Sequence, residues 1–138
     1  MALVAALAAA SSPCFAQQQG QKPSSEDREK KLQEYIDKEV EKLTMLLGLE
    51  YWQEFYADST LNHNLRAIDE EVSSLAAAKV SNPDLYQSIQ DKWNEKTYLC
   101  FQKFLNDEQW KKYLKTGAAR EKKARDKRAE KAAAGNKK

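Results

Sequence analysis

With 138 residues the chain has room for one domain. About a third of the residues are charged (32%), yet the charges nearly cancel to +2, and Gly and Pro together number only seven. So few chain breakers exclude a many-stranded β fold, and the abundance of Ala, Leu, Glu, Lys and Gln selects an all-α one.

The first sixteen residues read as an export signal rather than a structural element. An apolar run from Ala2 to Ala10 leads to small residues at Cys14 and Ala16, the −3 and −1 positions of a signal-peptidase site. The run is shorter than the roughly 20 apolar residues a membrane span needs, and Pro13 before Cys14 does not suit a lipoprotein site. The expectation is cleavage after Ala16, a periplasmic location, and Cys100 as the one remaining cysteine. Packing, not disulfides, must then hold the fold. Residues 17–24 follow as a polar, Gln-rich leader expected to be disordered.

A helical domain is expected over residues 25–117. Ser24 supplies a cap, with acidic Asp27 three positions on, and a first helix runs from about Ser25 to Leu47. Its apolar stripe is Leu32, Ile36, Val40, Leu43 and Leu47, and Gly48 ends it. A second helix begins near Glu50 with Trp52, Phe55 and Tyr56, and continues with Leu65, Ile68, Val72 and Leu75 on one face, ending over Ala76 to Val80. Its middle, Asp58 to Asn64, holds several weak helix formers and is expected to bend or fray. Asn82 as cap and Pro83 at the first helical position start a third helix, Pro83 to about Leu105, striped by Tyr86, Ile89, Trp93, Thr97, Cys100 and Phe104. Asn106 and Gln109 then form a capping-box start for a short fourth helix carrying Trp110, Tyr113 and Leu114, broken at Gly117.

Charge divides the chain. Between Ser24 and Lys115, thirteen basic and eighteen acidic residues leave −5; from Ala118 to Lys138, nine against three leave +6. The basic Ala/Lys-rich tail, 118–138, has no large apolar residue, so it is expected to be solvated and fraying. Contact with anionic lipid headgroups or cell-envelope polymer is its second reading. Export and the absence of aromatic residues argue against a nucleic-acid partner.

No constellation for catalysis emerges. The single histidine, His63, is expected at the surface and cannot with one distant cysteine make a metal site. Cys100 reads as a small buried hydrophobe, with an intersubunit disulfide or a reactive thiol as alternatives. No phosphate loop or nucleophile elbow occurs, so no enzyme, metal or cofactor is expected. The aromatic residues say more. Tyr51, Trp52, Phe55 and Tyr56 crowd a turn and a half, and Tyr98-Leu99-Cys100-Phe101 makes the third helix apolar all round. Trp52, Phe55, Tyr56, Tyr98 and Phe101 are therefore the candidate protein-binding residues, facing either a second copy or another polypeptide, with a thick four-helix core as the alternative.

Two segments resemble the paired LTxxQ signature of the Spy/CpxP family of periplasmic proteins. Leu47-Gly48-Leu49-Glu50-Tyr51-Trp52-Gln53 is similar to the family's L-x-L-T-x-x-Q, and Leu105-Asn106-Asp107-Glu108-Gln109 is similar to its second motif. Both depart at the Thr position, by Glu50 and Asn106. The motif-forming helix-start residues are Leu49, Gln53, Leu105, Asn106 and Gln109. The order of elements from Lys38 to Lys115 also follows the family's plan. The resemblance implies an antiparallel helical hairpin with a short C-terminal helix, dimerisation into a curved cradle, and ATP-independent chaperone or stress-adaptor activity toward unfolded or specific envelope proteins. The metal-ligating residues of zinc-binding relatives are absent, and the acidic body differs from the family's often basic cradles.

Overall fold

A computed structural model describes residues 24–135, helical throughout except for short connections. The expected signal, 1–16, and residues 17–23 of the polar leader lie outside the described residues. Helix α1 spans Ser25–Leu47, α2 Tyr51–Ala77, α3 Pro83–Phe104, α4 Asp107–Tyr113 and α5 Ala119–Gly135, with a π-helical turn, Leu114–Ala118, joining the last two. The fold is all-α, as composition requires. Among the described residues no helix is long and apolar enough to cross a membrane.

α1 starts and stops on the side chains its sequence offers. Ser24 Oγ accepts the Asp27 N–H (3.1 Å) and the Asp27 carboxylate accepts the Ser24 N–H (3.3 Å), closing a capping box. At the other end Gly48 turns left-handed (φ 63°) and its N–H reaches the Thr44 carbonyl at 2.9 Å. Ile36, Val40, Leu43 and Leu47 are buried, and Leu32 packs half-buried at their edge.

α2 departs from expectation twice. Its middle does not bend: the Asn62 amide folds back to Asp58 Oδ1 (2.9 Å), and buried Asn64 donates to Thr97 Oγ1 of α3 (2.9 Å). Tertiary bonding thus outweighs weak propensity. The buried face is Gln53, Ala57, Leu61, Asn64 and Ile68, so of the expected stripe only Ile68 is fully covered. The core lies toward the end of the molecule where Leu47, Phe101 and Leu105 meet, leaving Val72 and Leu75 half-covered.

α3 keeps most of its expected stripe, with Tyr86, Ile89, Trp93, Thr97 and Phe104 half-buried. Phe101 and Leu105 enter the core, whereas Cys100 is exposed and the buried-hydrophobe reading of it is corrected. Adjacent helical residues point about 100° apart, so Cys100 and Phe101 cannot share a face. Polar contacts pair Gln53 with Phe104, Asn64 with Thr97 and Glu71 with Lys92, later positions of α2 meeting earlier ones of α3. Glu71 also accepts the Trp93 indole N–H at 2.9 Å. Hydrogen bonds to Lys92 and Trp93 hold its carboxyl below the ordinary range.

The described part of the basic tail, 118–135, is helical beyond a kink at Gly117; most of its side chains are exposed, and a few dock on α3. Gly117 takes φ 110°, a conformation open to glycine, and the π turn carries the chain into α5. α5 lies along α3, where Arg125 and Lys122 meet Glu95 (3.1 and 3.2 Å) and Arg128 grips Asp91 with two hydrogen bonds (2.6 and 2.7 Å). The Arg125 guanidinium also stands 5.6 Å over the Tyr98 ring. The helix has no apolar face, but it offers cations to two carboxylates and a ring, an attachment that hydropathy patterning cannot register.

Candidate protein-binding surface

The two motif glutamines anchor the end of the fold that carries the surface. Gln53 Oε1 accepts the Glu50 N–H (3.0 Å) and Gln109 Oε1 accepts the Asn106 N–H (3.0 Å), so each side chain closes the start of its own helix. Asn106 Oδ1 completes its box by accepting the Gln109 N–H (2.9 Å). Both glutamine side chains are buried, and they bond reciprocally: Gln53 Nε2 donates to Gln109 Oε1 (2.7 Å), and Gln109 Nε2 donates to Gln53 Oε1 (2.9 Å). Their remaining hydrogens go to the carbonyls just before the opposite motif, Gln53 to Phe104 O (2.9 Å) and Gln109 to Gly48 O (3.2 Å). Each buried amide therefore spends two donors and two acceptor sites, its full capacity. Leu105 is buried and Leu49 half-buried beside this pair.

That clamp fixes the first turns of α2, from which the aromatic side chains project. Trp52 is 48% exposed, Phe55 64% and Tyr56 53%, and Tyr51 is exposed beside them. They form one patch: Tyr56 meets Trp52 edge-on at 6.1 Å and Phe55 edge-on at 6.0 Å. Trp52 is steadied by its indole N–H on the Glu50 carboxylate (2.7 Å). Tyr56 stacks on Phe104 of α3 (6.0 Å), which packs edge-on against buried Phe101 (5.1 Å), so the patch is continuous with the core. Phe104 completes the surface although the sequence pattern places it on a core stripe.

The other two candidates lie elsewhere. Phe101 is only 2% exposed, packed against Phe104 and Tyr113, and is corrected from a binding residue to a core residue. Tyr98 is half-buried beneath Trp110 (5.0 Å) and the cations of α5, away from the patch. Helical rotation separates them from the surface: the side of α3 that meets α4 and α5 is not the side that supports Tyr56.

Charge flanks the patch asymmetrically. Toward α1 a shallow groove carries Asp37, Glu41, Glu54 and Asp58 around exposed Met45. Along α3 a second groove carries Lys96 and Lys103 beside Cys100, with His63 edge-on to Trp93 at 5.6 Å and Lys96 Nζ 3.8 Å from the Trp93 ring centroid. An apolar strip thus lies between an acidic and a basic margin, and His63 and Cys100 both line the basic one. In comparison with family models, curated proteins and solved structures, the chain finds no match.

Proposed function

We propose that the chain is a non-catalytic protein-binding module of Spy/CpxP-like kind, an ATP-independent chaperone or envelope-stress adaptor acting in the periplasm. The observation that carries this reading is the aromatic patch of Trp52, Phe55 and Tyr56, each about half exposed or more and held outward on the first turns of α2. In this reading α2 and α3 form the antiparallel hairpin, α4 the short C-terminal helix, and two copies associate into the working form. The reciprocal use of Gln53 and Gln109 supports the resemblance, because both motif positions act in equivalent ways.

Magnitudes favour loose capture. Fully burying a large apolar side chain yields about 1.5–3 kcal/mol, and these rings are already partly covered. Association costs at least about 4 kcal/mol. A few rings therefore give weak, reversible binding, which suits transient holding of unfolded clients. A narrower reading, an envelope component binding one partner or the membrane or cell wall, is favoured by Lys123, Lys127 and Lys131, exposed at four-residue spacing on α5. Light scattering of several unrelated unfolding proteins decides between them. Suppressed aggregation of most clients is expected; suppression of none would favour the single-partner reading and overturn the chaperone.

A further inference from the structure

Of the 17 residues of α5, only Lys122, Ala124 and Arg125 are less than exposed. A helix held by packing buries an apolar stripe, and this one has a single alanine to offer. Its hold on the body is a pair of α3 carboxylates one turn apart. Glu95 meets Arg125 and Lys122 (3.1 and 3.2 Å), and Asp91 meets Arg128 (2.6 Å). Beyond that latch the two helices part, and an open groove of about 800 Å³ lies between Asp84 and Ser88 on α3 and Ala129 and Ala132 on α5.

The docked turn lies over aromatic surface. The Arg125 guanidinium stands 5.6 Å and Lys122 Nζ 5.9 Å from the centre of the Tyr98 ring, which packs against Trp110 (5.0 Å) and Tyr113 (6.5 Å). Leu46 and Leu65 border the same cleft, and Gly117, Arg120 and Arg125 close its outer side. The closure is imperfect. Arg125 Nε donates to Glu95 Oε2 (3.1 Å), but Nη2, although ion-paired with that oxygen, has no hydrogen-bond partner and is sealed from water. Lifting the helix would let water reach it, so the unmet donor disfavours the docked state. The latch carboxylates are partly exposed, and ion pairs at a surface are individually weak and screened by salt. A pivot stands at the near end, where Gly117 (φ 110°) can exchange conformations that other residues resist.

We propose that α5 is a strap that pivots at Gly117, is latched by charge on Asp91 and Glu95, and covers a second apolar face centred on Tyr98 and Tyr113, uncovering it when the latch loosens. Cut loose, a helix of this length is marginal in water, so release of the strap and its fraying go together. The strap is separate from the aromatic patch of α2 and stands if the chaperone reading fails.

Hydrogen exchange read by mass spectrometry tests it, comparing the full chain with its Asp91→Asn, Glu95→Gln double variant. The α5 amides should exchange roughly tenfold faster in the double variant, with α1, α2 and α3 still protected. Raising sodium chloride to about 0.5 M should speed α5 exchange in the unaltered chain in the same selective way. Nile red, an uncharged dye, reports the uncovered face. In a chain already carrying Trp52→Ser, Phe55→Ser and Tyr56→Ser, removing the latch should raise its fluorescence several-fold. Unchanged α5 exchange, loss of protection in α3 together with α5, or no gain in dye signal would each overturn the proposal. Should the latch variant fail to fold by circular dichroism, the salt series on the unaltered chain decides alone.

Discussion

A buried primary amide is tolerated only when both its hydrogens and its oxygen are engaged, and Gln53 and Gln109 meet that condition through each other. Gln109→Ala leaves Gly48 O without its side-chain donor and removes Gln53's reciprocal partner, so a loss of about 1–3 kcal/mol is expected in urea unfolding. Gln53→Ala should cost about the same. The double variant should cost less than the sum, because the second truncation removes a group the first has already orphaned; strict additivity would show that the pair is not coupled. At the end of α2, Lys79 adopts a left-handed φ of 55°, a position usually filled by glycine. Lys79→Gly should therefore raise stability by about 0.5–1 kcal/mol, read as a higher melting temperature. The sequence shows both glutamines and their capping role, since that role depends on spacing within one segment. It does not show that the two boxes face each other, which depends on the packing of segments 56 residues apart. Lys79 gives no sign of its conformation, because lysine is an ordinary helix residue.

Among the elements, boundaries were legible wherever a local side chain makes them: Ser24, Gly48, Asn82 and Asn106 all act as read. Buried faces were less so. α1 shows one clean stripe, but α2 buries Gln53 and Asn64 among its apolar residues, and hydrophobic periodicity counts such residues as solvent-facing. The docking of α5 was not legible for the same reason, since its attachment is electrostatic. That attachment predicts a pH dependence. The hydrogen bond from Arg128, opposed by partial burial, holds the Asp91 carboxyl below its ordinary 3.8. A depressed carboxyl stabilises the fold above its unfolded pKa and loses that contribution as pH falls through the folded value. The stability difference between the natural chain and Asp91→Asn should thus be present near neutral pH, begin to shrink below about 4, and vanish in stronger acid. Hydrogen exchange of the α5 amides gives the readout, and a difference independent of pH would show that Arg128 does not dock the helix through Asp91.

For the molecule as a whole, the division of aromatic residues matters most. Phe101, Tyr113 and Trp110 close one end of the bundle, while Trp52, Phe55 and Tyr56 are held outward by a helix start that the glutamine clamp makes rigid. Crowding of rings along the chain points to the patch, but which rings stay exposed follows from the packing of α3 against α4 and α5. Replacing the three outward rings together, Trp52→Ser, Phe55→Ser and Tyr56→Ser, separates binding from folding, since none of them belongs to the buried core. Paired light-scattering traces of a chemically denatured client, with the natural chain and with this triple variant at matched helicity, make the most direct measurement. Suppression by the natural chain, with most of it lost in the triple variant, is the predicted result. A triple variant that protects the client as well as the natural chain would contradict the assignment of these rings to polypeptide capture.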